Sequence, residues 1–170
     1  MISIADRAKD AASILNYLDG DLLGAHRSLP LFEEVASSTG VSDKTKMIFK
    51  RMYVSYLTLT LAKIAEFYKQ YQDLIPEDCI DAFRSLNTEI ERLGIRRFRN
   101  KFIGHILDLD TGRPFSDSDV EEWFQKVTDR DLDKFLIWIN TPGSYEFPKT
   151  VVSIVERTRD LILEKYHVQL

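Results

Sequence analysis

Apolar residues recur at spacings of three and four along most of the chain, and no long stretch alternates between apolar and polar residues. This is the pattern of amphipathic helices, in which side chains at i, i+3 and i+4 share one face. The longest predicted helix has an apolar stripe formed by Leu57, Leu61, Ile64, Tyr68 and Tyr71. Ile48 and Met52 are expected to widen its buried surface. The sequence therefore predicts an all-α, up-and-down bundle of five to seven helices.

The first 40 residues also begin with an amphipathic stripe. Gly20, Gly24 and Pro30 predict a break in that helix, because glycine and proline disfavour helix interiors. A separate short helix would then follow and end before Gly40. We treat residues 1–40 as an N-terminal helical segment and residues 42–170 as the main bundle.

Several residues mark the expected helix ends in the main bundle. Ser42 is a good N-cap, and Ser116 with Asp119 has the spacing of a capping box. Pro76 and Pro148 would each begin a helix, the latter from within its first turn. These signals divide the main bundle into helices of ordinary length.

Bulk properties favour one cytoplasmic domain spanning residues 1–170. The hydrophobic content of 44% is sufficient for a core, and the single cysteine, Cys79, excludes an internal disulfide framework. No run of residues approaches the roughly 18 apolar residues of a membrane span. The formal charge is −4, and it would be −9 without the five cations between Arg92 and Lys101. Broad coating of nucleic acid is therefore not expected, whereas a local basic groove remains compatible with phosphate binding.

One short segment concentrates the positive charge. It contains Arg92, Arg96, Arg97, Arg99 and Lys101, and no acidic residue occurs between positions 92 and 107. Apolar residues within it recur at helical spacing, so we predict a helix with one buried side and one basic side. Arg92, Arg96, Arg97 and Lys101 are our candidate RNA-binding residues. Asp108 and Asp110 follow as turn-forming residues, and we assign no metal ligand and no cofactor.

Arg99, Asn100 and His105 are the candidate catalytic residues of this segment, because a guanidinium, an amide and an imidazole suit metal-free phosphoryl transfer. On an ideal α-helix, six residues turn about 600° and rise about 9 Å, so Arg99 and His105 would lie on opposite flanks of the apolar stripe. Either the helix loosens at Gly104, or a second copy of the chain completes the site across a two-fold axis.

The run from Arg99 to His105, followed by an Asp-rich turn, resembles the signature of the HEPN superfamily (higher eukaryotes and prokaryotes nucleotide-binding), and most closely its abortive-infection branch. That signature is an arginine, then usually Asn, Asp or His, and a histidine after four to six residues. Members are helical bundles that commonly dimerise, and many are metal-independent ribonucleases with a composite site. The resemblance assigns Arg99, Asn100 and His105 to the family's site positions. Ile106 and Leu107 stand where toxins paired with a nucleotidyltransferase antitoxin often carry a tyrosine.

Two functions are therefore open. In the first, the protein is a metal-independent endoribonuclease, such as a toxin or phage-defence effector, with RNA as substrate, a homodimeric site and an antitoxin protein as a further partner. In the second, the same helix belongs to a non-catalytic module for dimerisation or for binding nucleotides or RNA, and His105 is structural. A homodimer is compatible with both functions.

Overall fold

The computed structural model of the chain describes residues 2–103, 112–143 and 145–170. Over that part the protein is all-α, with seven α-helices, one π-helical turn and no strand. This confirms the predicted all-α class and the predicted number of helices. In chain order the elements are α1 (Ile4–Ser38), α2 (Asp43–Tyr71), α3 (Glu77–Arg92), α4 (Ile95–Phe98), the π-turn (Arg99–Ile103), α5 (Asp117–Val127), α6 (Leu132–Ile139) and α7 (Val151–Tyr166).

The prediction that the N-terminal helix breaks is wrong. Helix α1 continues for 35 residues through Gly20, Gly24 and Pro30. Its apolar residues belong to the same core as those of the other long helices, and it packs mainly against α7 and α2. Because most helix stability in proteins comes from such packing, it outweighs the local cost of two glycines and one proline.

Ion pairs show how the long helices run relative to one another. Glu33 near the end of α1 pairs with Lys50 near the start of α2 at 2.9 Å, and Asp21 pairs with Lys63 further along at 3.7 Å. The two helices are therefore antiparallel. On the opposite side of α1, Arg159 of α7 approaches Asp19 at 3.2 Å.

The predicted helix ends agree with the structure at most positions. Ser42 caps α2 by accepting a hydrogen bond from the Thr45 N–H, and the capping box of Ser116 and Asp119 begins α5. Pro148 is an exception, because α7 begins later, at Val151, with a different N-cap residue. The N-cap residue has a side-chain hydroxyl that accepts a hydrogen bond from a backbone N–H of the first turn. Proline has no side-chain acceptor of this kind.

Burial along α2 differs from the prediction in its N-terminal half. Leu57, Leu61 and Ile64 lie in the core as expected, whereas Ile48 and Met52 are exposed. The expectation that these two residues widen the buried surface is therefore wrong. No helix in the described part of the chain has the length and apolar character needed to cross a bilayer.

Candidate functional site

The basic segment begins at a tight turn after α3. Gly94 adopts φ of +69°, a conformation that glycine tolerates without strain, and a Cβ added there would lie 3.3 Å from the Lys126 side chain. Helix α4 follows, with Ile95 and Phe98 buried against the core. The turn and these two apolar anchors fix the direction in which the basic segment leaves the bundle.

The α-helix then changes to a π-helical turn at Arg99. The Arg99 N–H donates to the carbonyls of both Ile95 and Arg96, so the first amide of this turn still completes the α-helical bonding of α4. Single π-helical turns inside helices are rare and often occur at functional sites. Loosening at Gly104 was one of the two alternatives that the sequence left open, and it stays a prediction; the π-turn lies before that position. Gly104 and His105 themselves lie outside the described residues.

Arg99 is held by a residue that the sequence did not implicate. Its Nη1 atom donates to Oε1 of Glu66 on α2 at 2.7 Å, and a longer bond of 3.4 Å joins the same atom to Oδ1 of Asn100. The Arg99 side chain is 38% exposed. The guanidinium is therefore anchored on one side and accessible to a phosphate on the other.

Two of the candidate RNA-binding residues are engaged by carboxylates. Arg92 donates to Glu89 at 2.7 Å and to Asp129 at 3.1 Å. Hydrogen bonds to these carboxylates raise the pKa of Arg92, and the bond from Arg92 lowers the pKa of Asp129. Arg96 donates to Glu91 at 2.9 Å.

The expected strongly positive patch is therefore partly neutralised. Positions 92 to 107 contain no acid in the sequence, but folding brings acids to the patch from the preceding helix and from more distant elements. A window along the chain could not show this, because the compensating carboxylates lie outside it.

Arg97 has a different environment. Its guanidinium lies 5.3 Å from the centre of the Trp123 ring of α5, and the ammonium group of Lys126 lies 4.9 Å from the same ring. Such cation–π contacts hold a charge in place without neutralising it. Lys101 lies on the π-turn and is half-buried. Arg97 and Lys126 thus present positive charge on the side of α4 that packs against α5, whereas Arg99 turns to α2.

The structure brings Arg99, Asn100 and Glu66 together, and Arg97 and Trp123 lie on the adjoining elements. Sequence reasoning missed Glu66, because a glutamate on an exposed helix position 33 residues away carries no local signal. His105, Asp108 and Asp110 fall outside the described residues. Within the described ranges, His, Cys, Asp and Glu side chains form no group of three or more that could hold a metal ion.

The chain resembles a solved structure over nearly its whole length. That structure is the integron cassette protein Vpc_cass2 from the mobile metagenome of V. paracholerae, with 23% sequence identity and a TM-score of 0.78. The alignment covers 95% of this chain and 99% of the other. At this identity the likeness shows a shared fold. No family model and no curated protein matches the chain.

Proposed function

We propose that the protein is a metal-independent endoribonuclease of the HEPN type. The observation that carries this proposal is the anchoring of Arg99. Glu66 holds its guanidinium at the start of a π-helical turn, next to Asn100 and six residues before His105. A preorganised cation costs no rearrangement when negative charge develops on a phosphate, which is the usual source of electrostatic catalysis.

The proposed reaction uses the ribose as its own nucleophile. His105 removes the proton of a 2′-hydroxyl, and the resulting oxygen attacks the adjacent phosphorus while Arg99 stabilises the charge on the non-bridging oxygens. The bond from phosphorus to the 5′-oxygen then breaks, and that oxygen takes up a proton. The products are a 2′,3′-cyclic phosphate and a 5′-hydroxyl. Asn100 orients the phosphate or His105.

The proposed site contacts only a small number of RNA phosphates. Arg92 and Arg96 already have carboxylate partners, whereas Arg97 is held over the Trp123 ring. We therefore assign substrate contact mainly to Arg97, with Arg92 and Arg96 in a minor role. Recognition by a small number of cations predicts a shallow dependence of RNA affinity on salt.

The neutralised patch also favours a second candidate function. If Arg92 serves to fix α3 against the turn at Asp129, and Arg96 to fix α4 against α3, the segment is a structural element of a module for dimerisation or for binding nucleotides or RNA. Such a module would bind without turnover. The two functions differ in a single observable, the formation of cleaved product.

A substrate with one altered position tests the reaction. A short RNA that wild-type protein cleaves at a mapped bond, in the presence of a chelator, is compared with the same RNA carrying 2′-deoxyribose on the 5′ side of that bond. We expect cleavage at the mapped bond to disappear in the modified RNA and a 2′,3′-cyclic end to form in the unmodified one. If the modified RNA is still cleaved at the mapped bond, next to the deoxyribose, attack by the 2′-hydroxyl is contradicted.

The proposal includes a symmetric assembly. Arg99 and His105 would diverge on an ideal α-helix, and the described π-turn ends before His105, so we propose that a second copy supplies the missing partner in a composite site. An antitoxin protein would be a further partner if the enzyme acts as a toxin or phage-defence effector.

A further inference from the structure

Large apolar side chains are exposed on the outward side of α1 and of the N-terminal half of α2. We call this surface the α1–α2 face; its exposed members are Tyr17, Leu31, Val35, Ile48, Met52 and Tyr56. Met52 and Tyr56 line two adjoining depressions, one of about 390 Å³ between the helices and one on α2 itself. Contiguous apolar surface of this kind marks an interaction site.

A cleft runs along the α1 side of this face. It is lined by Gly20, Gly24 and Ser28, which lie one helical turn apart. A Cβ added at Gly20 or Gly24 would meet no atom within 4 Å, so the packing of the chain itself does not require glycine there. Both glycines disfavour the helix relative to alanine. Close approach by another molecule would explain why these positions lack a side chain.

The charges bordering the face suit a second copy of the same chain. Along the seam between the helices, Asp21 pairs with Lys63 and Glu33 pairs with Lys50, so each acid is balanced by a base. Two copies can therefore meet without repulsion between like charges. The same balance gives a polyanion such as RNA no net attraction to this surface.

The size of the face is also sufficient. From Tyr17 to Val35 it is about 27 Å long, and two helices are about 20 Å wide, so two copies would cover about 1,100 Å² in total. This exceeds the roughly 1,000 Å² expected of a specific interface. The face also continues towards the candidate site, because Ile48, Met52, Leu59 and Glu66 recur at spacings that keep them on one side of α2.

We infer that the α1–α2 face binds a second copy of the chain across a two-fold axis, with Met52 of each copy inserted into the Gly20–Gly24 cleft of the other. The arrangement is isologous, because ridge and cleft belong to the same surface. The claim that this dimer completes the catalytic site rests on the proposed function. The claim that the face binds a second copy of the chain does not depend on it.

Sedimentation of the full chain between about 1 and 100 µM tests the interface, a range that includes micromolar dimers. We expect wild-type protein to dimerise and Met52→Lys to raise the dimer dissociation constant at least about tenfold. The matched control is Ile137→Lys on α6, since Ile137 is 60% exposed and Met52 is 64% exposed. A monomeric wild type would overturn the inference, as would equal effects of the two lysines.

A second pair of variants excludes general destabilisation. Gly24→Ala should weaken the dimer at least about tenfold, because the added methyl occupies the cleft, while raising the unfolding midpoint of the dilute monomer. The control Ser85→Ala, at an exposed position on α3, should leave the dimer unchanged. If Gly24→Ala protein dimerises with the same dissociation constant as wild type, Met52 of the second copy does not insert into the Gly20–Gly24 cleft.

Cleavage assays separate this inference from the proposed function. If Met52→Lys protein is monomeric and still cleaves RNA, the chain dimerises through the α1–α2 face, but the catalytic site does not need two copies. If wild-type protein dimerises through Met52 and cleaves no RNA, the interface stands and the proposed enzyme does not.

Discussion

Arg99 and Glu66 join the π-helical turn to α2, one of the long helices of the core, through a bond of 2.7 Å between Nη1 and Oε1. Glu66 lies between the buried residues Ala65 and Phe67, so its backbone is held by the core while its carboxylate faces outward. The orientation of the guanidinium is thereby coupled to the buried side of α2.

Removing Glu66 should impair turnover through Arg99. In Glu66→Ala protein the guanidinium loses its anchor, and we expect kcat to fall by about 10- to 100-fold with a smaller change in KM, the usual effect of a misplaced catalytic group. Glu66→Gln keeps an oxygen acceptor and should recover part of the loss. Steady-state kinetics of RNA cleavage measure both constants.

The matched control for that experiment is Glu91→Ala. It frees Arg96 in the way that Glu66→Ala frees Arg99, but Arg96 has no assigned role in turnover. A similar fall in kcat in the two variants would argue against a positioning role for Glu66.

RNA affinity should depend more on Arg97 than on Arg96. Arg97 is held over Trp123 and has no carboxylate partner in the described part of the chain, whereas Arg96 is paired with Glu91. We expect Arg97→Ala to weaken binding and to reduce the slope of log affinity against log salt by about one, while Arg96→Ala changes both less. Fluorescence anisotropy at several salt concentrations measures the slopes. Equal slopes in the two variants would show that the ion pair does not withhold Arg96 from RNA.

The Tyr53 hydroxyl should cause a loss of stability at alkaline pH. Its oxygen is buried without a hydrogen-bond partner in the described structure, and burial raises its pKa from 10.0 to about 12. Because the pKa of Tyr53 is higher in the folded than in the unfolded protein, ionisation of Tyr53 favours the unfolded state. The free energy of unfolding is therefore unaffected by this group below pH 10 and falls as the pH rises towards 12. At pH 11 the loss is about 1.4 kcal/mol.

Tyr53→Phe removes both the unpaired hydroxyl and its ionisation. Urea unfolding should show that the variant is at least as stable as wild type at pH 7, because it leaves no buried group unsatisfied. Between pH 7 and 11 it should lose about 1.4 kcal/mol less than wild type. Identical pH profiles for the two proteins would mean that Tyr53 keeps an ordinary pKa.

The pair of Asp19 and Arg159 should contribute strongly to the packing of α1 against α7. The two side chains are 9% and 17% exposed, and Nη1 lies 3.2 Å from Oδ2. Burial raises the pKa of Asp19, and the nearby guanidinium opposes that shift. Asp19→Ala leaves the guanidinium of Arg159 with a long bond to Asn16 and with its exposed neighbour Asp160, so we expect a loss of about 3 kcal/mol in the free energy of unfolding.

A second Arg–Asp pair provides the comparison. Arg7 and Asp73 are 2.9 Å apart but much more exposed, at 38% and 54%. Asp73→Ala should therefore change stability little. A larger loss in Asp73→Ala than in Asp19→Ala would contradict the assignment of Asp19 to a buried interaction.

Local signals in the sequence accounted for the helices and most of their ends. Caps such as Ser42 depend on neighbouring residues and can be recognised along the chain. The bond from Glu66 to Arg99 depends on tertiary packing, so no local pattern indicates it. The continuity of α1 through Pro30 is set by the core for the same reason. Finally, Met52 belongs to an apolar stripe on α2 and is nevertheless exposed. The stripe alone does not show whether residues of the same chain or of another molecule cover it.

The most direct test of the account is RNA cleavage by purified His105→Ala protein that is folded and has the same oligomeric state as wild type. Wild type should cleave RNA in the presence of a chelator, and the variant should turn over about 10² to 10⁴ times more slowly, the usual contribution of a general base. Its RNA affinity should change little. Undiminished cleavage by His105→Ala protein, or no cleavage by wild type across single-stranded and structured RNAs, would contradict the catalytic account and leave the binding module.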